Sequence, residues 1–163
     1  MKRIRDTSRQ DQDTDKERYM GWQGYLIKKT ITVGTSTVDV IFPDKYIALE
    51  SWDSTPNQRE EIKAYRDDNT RDLTRITAQG KKSVFRFQTR KHLHLAEKME
   101  IQNFFTSSES DPDQRKIYLT IWNEETNDYM SAYFYRPNMK FPIYKISNDD
   151  IIYNALSFEL IEY

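Results

Sequence analysis

From Tyr25 onward, apolar residues recur at every second position, and short turn-forming clusters break the recurrence. A half-buried strand requires that spacing and a helix cannot use it, because side chains alternate between the two faces of a strand. Ile27, Ile31 and Val33, with Lys29 among them, share one face; Gly34-Thr35 interrupts, and Val38, Val40 and Phe42 alternate after it. This predicts a β-hairpin ended by Pro43. Lys45–Asp53 predicts a third short strand, and Ser54-Thr55-Pro56-Asn57 has the chemistry of a turn. Residues 58–82 are strongly polar, with Ile62, Ala64, Leu73, Ile76 and Ala78 their only aliphatics; Ile62–Arg66 and Leu73–Ala78 predict short strands joined by Asp67-Asp68-Asn69.

Lys82–Gln88 continues the alternation with Phe85 and Phe87. The helical period then takes over once, over Leu93–Thr106, where Leu95, Ala96, Met99 and Gln102 line up and Ile101, Phe104 and Phe105 widen the apolar face. Ser107–Gln114 reads as a loop. Lys116–Trp122 and Tyr129–Tyr135 flank a polar tip at Asn123–Asp128, and Phe141–Ser147 and Ile151–Tyr163 flank Asn148-Asp149-Asp150. In the last strand Ile152, Leu156, Phe158 and Leu160 share a face, interrupted by Asn154. One helix among eight to ten strands makes the expected class α+β, predominantly antiparallel β and sandwich-like, with the main helix near 93–106.

Composition narrows the function. Of 163 residues, 22 are aromatic (3 Trp, 11 Tyr, 8 Phe), which suits sheets. Basic and acidic residues nearly cancel, 25 against 26, so no global field draws the chain onto nucleic acid or anionic lipid. No run approaches the roughly 20 apolar residues of a membrane helix, and no membrane partner is expected. The absence of cysteine excludes a disulfide scaffold, a thiolate zinc site and a cysteine nucleophile. Four glycines are too few for a phosphate-cradling loop, and no cofactor signature is present. Residues 1–18 carry six basic and five acidic residues and a lone branched aliphatic, Ile4. Such a segment buries too little to offset the entropy of ordering, so a charged, flexible arm is expected over residues 1–20 and a β-rich domain over 21–163.

Chemistry-bearing motifs are sparse. His92-x-His94 is the one histidine pair, with no third ligand at metal-motif spacing, and reads as surface histidines at a helix entry. Asp67-Asp68-Asn69 and Asp111-Pro112-Asp113 lack the alternating ligands and closing Glu of a calcium loop and read as turns. No nucleophile elbow or Walker sequence exists, and no enzyme is expected. Phe85-Arg86-Phe87 and Tyr133-Phe134-Tyr135-Arg136 interleave aromatic and basic residues, as single-strand binders do. The charge balance and missing RNP consensus favour core packing instead, and no sequence-specific nucleic-acid partner is expected.

Thr55-Pro56-Asn57-Gln58-Arg59, Ala64-Tyr65-Arg66-Asp67, Leu73-Thr74-Arg75, Phe134-Tyr135-x-Pro137 and the closing Phe158-Glu159-Leu160-Ile161-Glu162-Tyr163 carry a resemblance. Over roughly residues 46–163 the chain resembles a family of small, functionally uncharacterised proteins from the tail modules of tailed phages and prophages of Gram-positive, gut-type bacteria. The element order is also similar to the tail-tube fold of tube, terminator and distal-tail proteins. The resemblance implies a virion tail location and a structural subunit of the tail tip or baseplate. Its partners would be copies of itself in a ring, and tube, hub and tape-measure proteins. A head–tail connector or tail-completion protein is the alternative within the same module, and an assembly chaperone or monomeric binding module the alternative outside it. Expected assembly residues are Arg3, Arg5 and Arg9 on the arm, and Glu124, Glu125 and Asp128 at a hairpin tip.

Overall fold

The computed structural model describes residues 21–163; the expected arm, with Arg3, Arg5 and Arg9, lies outside the described residues. The strands are β1 (Ile27–Val33), β2 (Ser36–Ile41), β3 (Asp53–Arg66), β4 (Leu73–Gln88), β5 (Leu93–His94), β6 (Glu109–Asp111), β7 (Lys116–Asn123), β8 (Asp128–Tyr135), β9 (Ile143–Ile146), β10 (Ile151–Tyr153) and β11 (Ser157–Glu162), and the helix is α1 (Leu95–Thr106). An eight-stranded sheet runs β2-β1-β7-β8-β11-β4-β3, with β6 on the side of β7, and a three-stranded sheet runs β5-β10-β9. Every strand pair is antiparallel. The fold is therefore α+β and predominantly antiparallel, as the alternation predicts.

The alternation also places the core. On β7, Ile117, Leu119 and Ile121 are fully buried while Tyr118 faces solvent; Phe85 and Phe87 on β4, Phe134 on β8, and Phe158 and Leu160 on β11 join them. Four strands separate β2 from β4 in the pairing order. Yet Phe42, just past β2, has its ring centroid 5.9 Å from that of Phe87. The sheet curls until its two ends face each other, which gives the sandwich-like layering. Helix α1 fills the opening with Ile101, Phe104 and Phe105, and Phe105 stacks 5.0 Å from Phe158. Each such side chain, once buried, contributes about 1.5–3 kcal/mol.

Several expectations change. Lys45–Asp53 forms two 3₁₀ turns, Asp44–Tyr46 and Leu49–Ser51, instead of a strand. Ser51 Oγ donates to the Ala48 carbonyl and accepts from Gln88 N–H, so a side chain takes the place of a ladder bond. Ser54–Asn57 runs inside β3 and is not a turn. Pro56 and Asn57 sit in a register gap between Thr55 and Gln58, where no ladder N–H is required of the proline. Asn57 takes φ 52°, and its N–H donates to Ser83 Oγ at 3.1 Å.

The final strand divides at Asn154–Leu156. Ile152 belongs to the small sheet, whereas Phe158 and Leu160 belong to the large one. Thr89 stitches the break by donating its N–H to the Leu156 carbonyl at 2.8 Å and accepting the Leu156 N–H on Oγ1 at 2.9 Å. Within the Ser107–Gln114 stretch, Glu109–Asp111 pairs with β7. The helix begins at Leu95, because Leu93 and His94 pair with β10. Its buried stripe is Ile101, Phe104 and Phe105; Ala96 and Met99 face solvent.

Candidate assembly surface

Strands β3 and β4 are 14 and 16 residues long. Only Val84–Gln88 of β4 pairs with β11, and β3 is the last strand in the order. From Gln58 to Lys82 the two strands therefore leave the sheet as a ribbon with no further strand beside it among the described residues. The turn at its end is built locally: Asp67 Oδ1 accepts the N–H groups of Asn69 and Thr70 at 2.8 and 2.9 Å. These bonds hold the Asp67 carboxyl below its usual range, the Thr70 N–H first among them.

Apolar side chains on this ribbon are unsupported. Ile62 is 67% exposed, Leu73 52%, Tyr65 49% and Ile76 47%. Tyr65 pairs with Thr74 and Lys63 with Ile76, so Tyr65 and Ile76 share one face; Arg66 pairs with Leu73 on the other. Lys63 Nζ sits 5.1 Å from the Tyr65 ring centroid, and Arg75 Nε bonds Glu61 Oε2 at 2.7 Å. A two-stranded ribbon is marginal in water without a packed face. Both faces here mix apolar with charged residues, which suits burial against a surface of mixed character.

The ribbon's root is held by the hairpin between β7 and β8. Trp52 Nε1–H donates to Glu124 Oε1 at 2.7 Å, and Ser54 Oγ donates to Glu124 Oε2 at 2.6 Å. Arg59 pairs with Glu125 at 3.5 Å. Asn57, then Arg59 and Lys81, hold the Glu125 carboxyl below its usual range. Asp128 pairs with Asn123 across the ladder, and its Oδ1 accepts the Tyr129 N–H at 2.8 Å. Glu124 and Glu125 thus have partners within the chain. Their assembly role, with that of Asp128, Arg3, Arg5 and Arg9, stays an expectation.

The surface residues missed by sequence reasoning are Ile62, Tyr65, Leu73 and Ile76, recognisable only as isolated apolar positions in a polar run. A second apolar edge lies on β9, where Ile143, Tyr144 and Ile146 are all exposed at the rim of the small sheet. The histidines part company: His94 Nδ1 meets Asp150 Oδ2 at 2.5 Å ahead of α1, while the His92 ring packs 4.5 Å from that of Tyr144. The His94 contact is the first cause of an Asp150 carboxyl held below its usual range.

Among curated proteins no sequence matches. A chain from the tail of an empty GTA particle, determined by helical refinement with C6 symmetry, is similar in structure, with a TM-score of 0.46 and 9% identity over 85% of this chain and 90% of that one. The model of the family of unknown function DUF6711 matches residues 19–163, and the chain belongs to that family.

Proposed function

We propose that this chain is a non-catalytic structural subunit of a phage tail, assembling with copies of itself in a ring at the tail tip or baseplate and with neighbouring tail proteins. The observation that carries the reading is the β3–β4 ribbon, whose exposed Ile62, Tyr65, Leu73 and Ile76 have no support within the chain among the described residues. A free-standing two-stranded ribbon is marginal by itself, and its exposed apolar side chains fit a contact made between subunits. The tail-module resemblance of the sequence motifs points the same way. In this reading the mechanism is geometric: the curled sheet sets subunit shape, and the ribbon and exposed strand edges join neighbours head to tail, closing a ring where the rotation closes.

Quantitative mass spectrometry of purified tailed particles, scaled to the major capsid protein, tests this. A few to a few tens of copies per particle, in a multiple of three or six, is the expected result. Absence from particles that contain the other tail proteins overturns it and leaves an assembly chaperone or a binding module outside the particle.

A further inference from the structure

Strand β8 alternates Phe134 inward and Tyr135 outward, and the next inward position, Arg136, is a guanidinium. The register Glu109–Ile117–Phe134 brings Glu109 of β6 to the same end of the sheet. The two side chains are each 7% exposed and bonded through Nη2 and Oε1 at 2.8 Å. Among the described residues that is the only oxygen acceptor the guanidinium has. Its Nη1 reaches the Met139 thioether at 3.4 Å, and its Nε has no acceptor among the described residues. A buried guanidinium carries five donors, and a thioether is a weak acceptor, so the group is far from satisfied.

Arg136 lines a cavity of about 290 Å³ between α1 and the loop after β8, near the lower end of the size range of small-ligand sites. Two further cations line it. Lys98 Nζ rests 4.8 Å from the Phe141 ring centroid, and Arg115 Nη1 donates to the Pro137 carbonyl at 3.2 Å; neither is in an ion pair among the described residues. Three cations thus face one carboxylate, Glu109, while Ile101, Leu156 and Phe158 supply an apolar wall. We infer that this cavity binds a carboxylate carried on a short apolar stem. The carboxylate takes the acceptor position at Arg136 that the Met139 thioether now holds, and the stem lies against the apolar wall. Charge-assisted bonds of this kind are about twice as strong as neutral ones. The site is independent of the assembly reading above.

Two sources offer this chemistry, a small organic acid or an acidic side chain flanked by apolar residues in a protein partner. The full chain, labelled with ¹⁵N and with ¹³C at its methionine methyls, is titrated with hexanoate, with hexanamide, with sulfate and with the blocked peptide acetyl-Leu-Glu-Leu-amide. The expected result is a saturable shift of the Arg136 Nε–H and Met139 methyl signals with hexanoate or with the peptide, at least about tenfold weaker with hexanamide. Lys98→Gln, at the rim, weakens it several-fold while the remaining spectrum is unchanged. Saturation by hexanoate assigns a small acid, and saturation by the peptide alone assigns a partner's side chain. No saturable shift with either, or equal responses to hexanamide or sulfate, overturns the site.

Discussion

Lys29 holds a place on β1 that the alternation reserves for an apolar side chain, and it is 4% exposed. Its ammonium lies at the C-terminal end of α1, donating to the Phe104 carbonyl at 2.6 Å and to Ser107 Oγ at 2.8 Å, and 4.8 Å from the Phe104 ring centroid. A cation is favourable there, because the last carbonyls of a helix carry partial negative charge. Burial nevertheless pushes the Lys29 pKa below 10.5. Replacing Lys29 with Met keeps the stem and leaves the Phe104 carbonyl without its donor, at an expected cost of about 1–3 kcal/mol in urea unfolding at neutral pH. The pH dependence has a definite sign. A lowered folded pKa means that the charged lysine is penalised in the folded chain and that the penalty is relieved as pH rises from the folded pKa towards 10.5. Wild type should therefore gain stability relative to Lys29→Met across that alkaline window, and a constant difference would contradict a desolvated ammonium. Sequence spacing put Lys29 on the buried face, but its partners lie 75 and 78 residues away, and no local pattern announces them.

Elements were legible where burial enforces alternation and obscure where side chains replace backbone pairing. Strand β7 was plain because Ile117, Leu119 and Ile121 are all fully buried on one face. The stretch from Ser54 to Asn57 misled for a local reason. Its residues are turn formers, but the register gap between Thr55 and Gln58 lets Pro56 and Asn57 ride within β3. Propensity there is overridden by the ladder on either side of the bulge. Asn57 tolerates φ 52° because its short polar side chain visits the left-handed region more readily than most. Asn57→Val, β-branched at that φ, should cost about 1–2 kcal/mol, whereas Asn57→Gly, which loses only the side-chain bond to Glu125, should cost less. Chemical denaturation of both variants checks this; an equal effect of Val and Gly would mean that the bulge relaxes to ordinary strand geometry.

At the scale of the molecule, the sequence pattern was enough to place the core and not the surface. Glu124 and Glu125 look like a free acidic tip in sequence, but Trp52 and Ser54 reach Glu124 from 72 and 70 residues away, and Arg59 reaches Glu125. The ribbon, by contrast, keeps its apolar side chains exposed. Full burial of Ile62, Tyr65, Leu73 and Ile76 would contribute about 1.5–3 kcal/mol each. Joining two subunits costs on the order of 4–15 kcal/mol in lost freedom and ordering. The ribbon alone therefore holds a neighbour weakly, and a closed ring, in which every subunit is held on two sides, makes the contact effective. Ile62→Ser combined with Ile76→Ser should leave the thermal midpoint of the isolated protein almost unchanged, because exposed substitutions shift stability by no more than about 0.5 kcal/mol. The same variant should be depleted from tailed particles when its copy number is measured by mass spectrometry. Hydrogen exchange gives the complementary reading: amides of residues 58–66 and 73–81 should exchange rapidly in the isolated chain and slow down in particles, while those of β7 and β8 are protected in both. Normal incorporation of the double variant, or a ribbon already protected in the isolated chain, would remove the ribbon from the assembly.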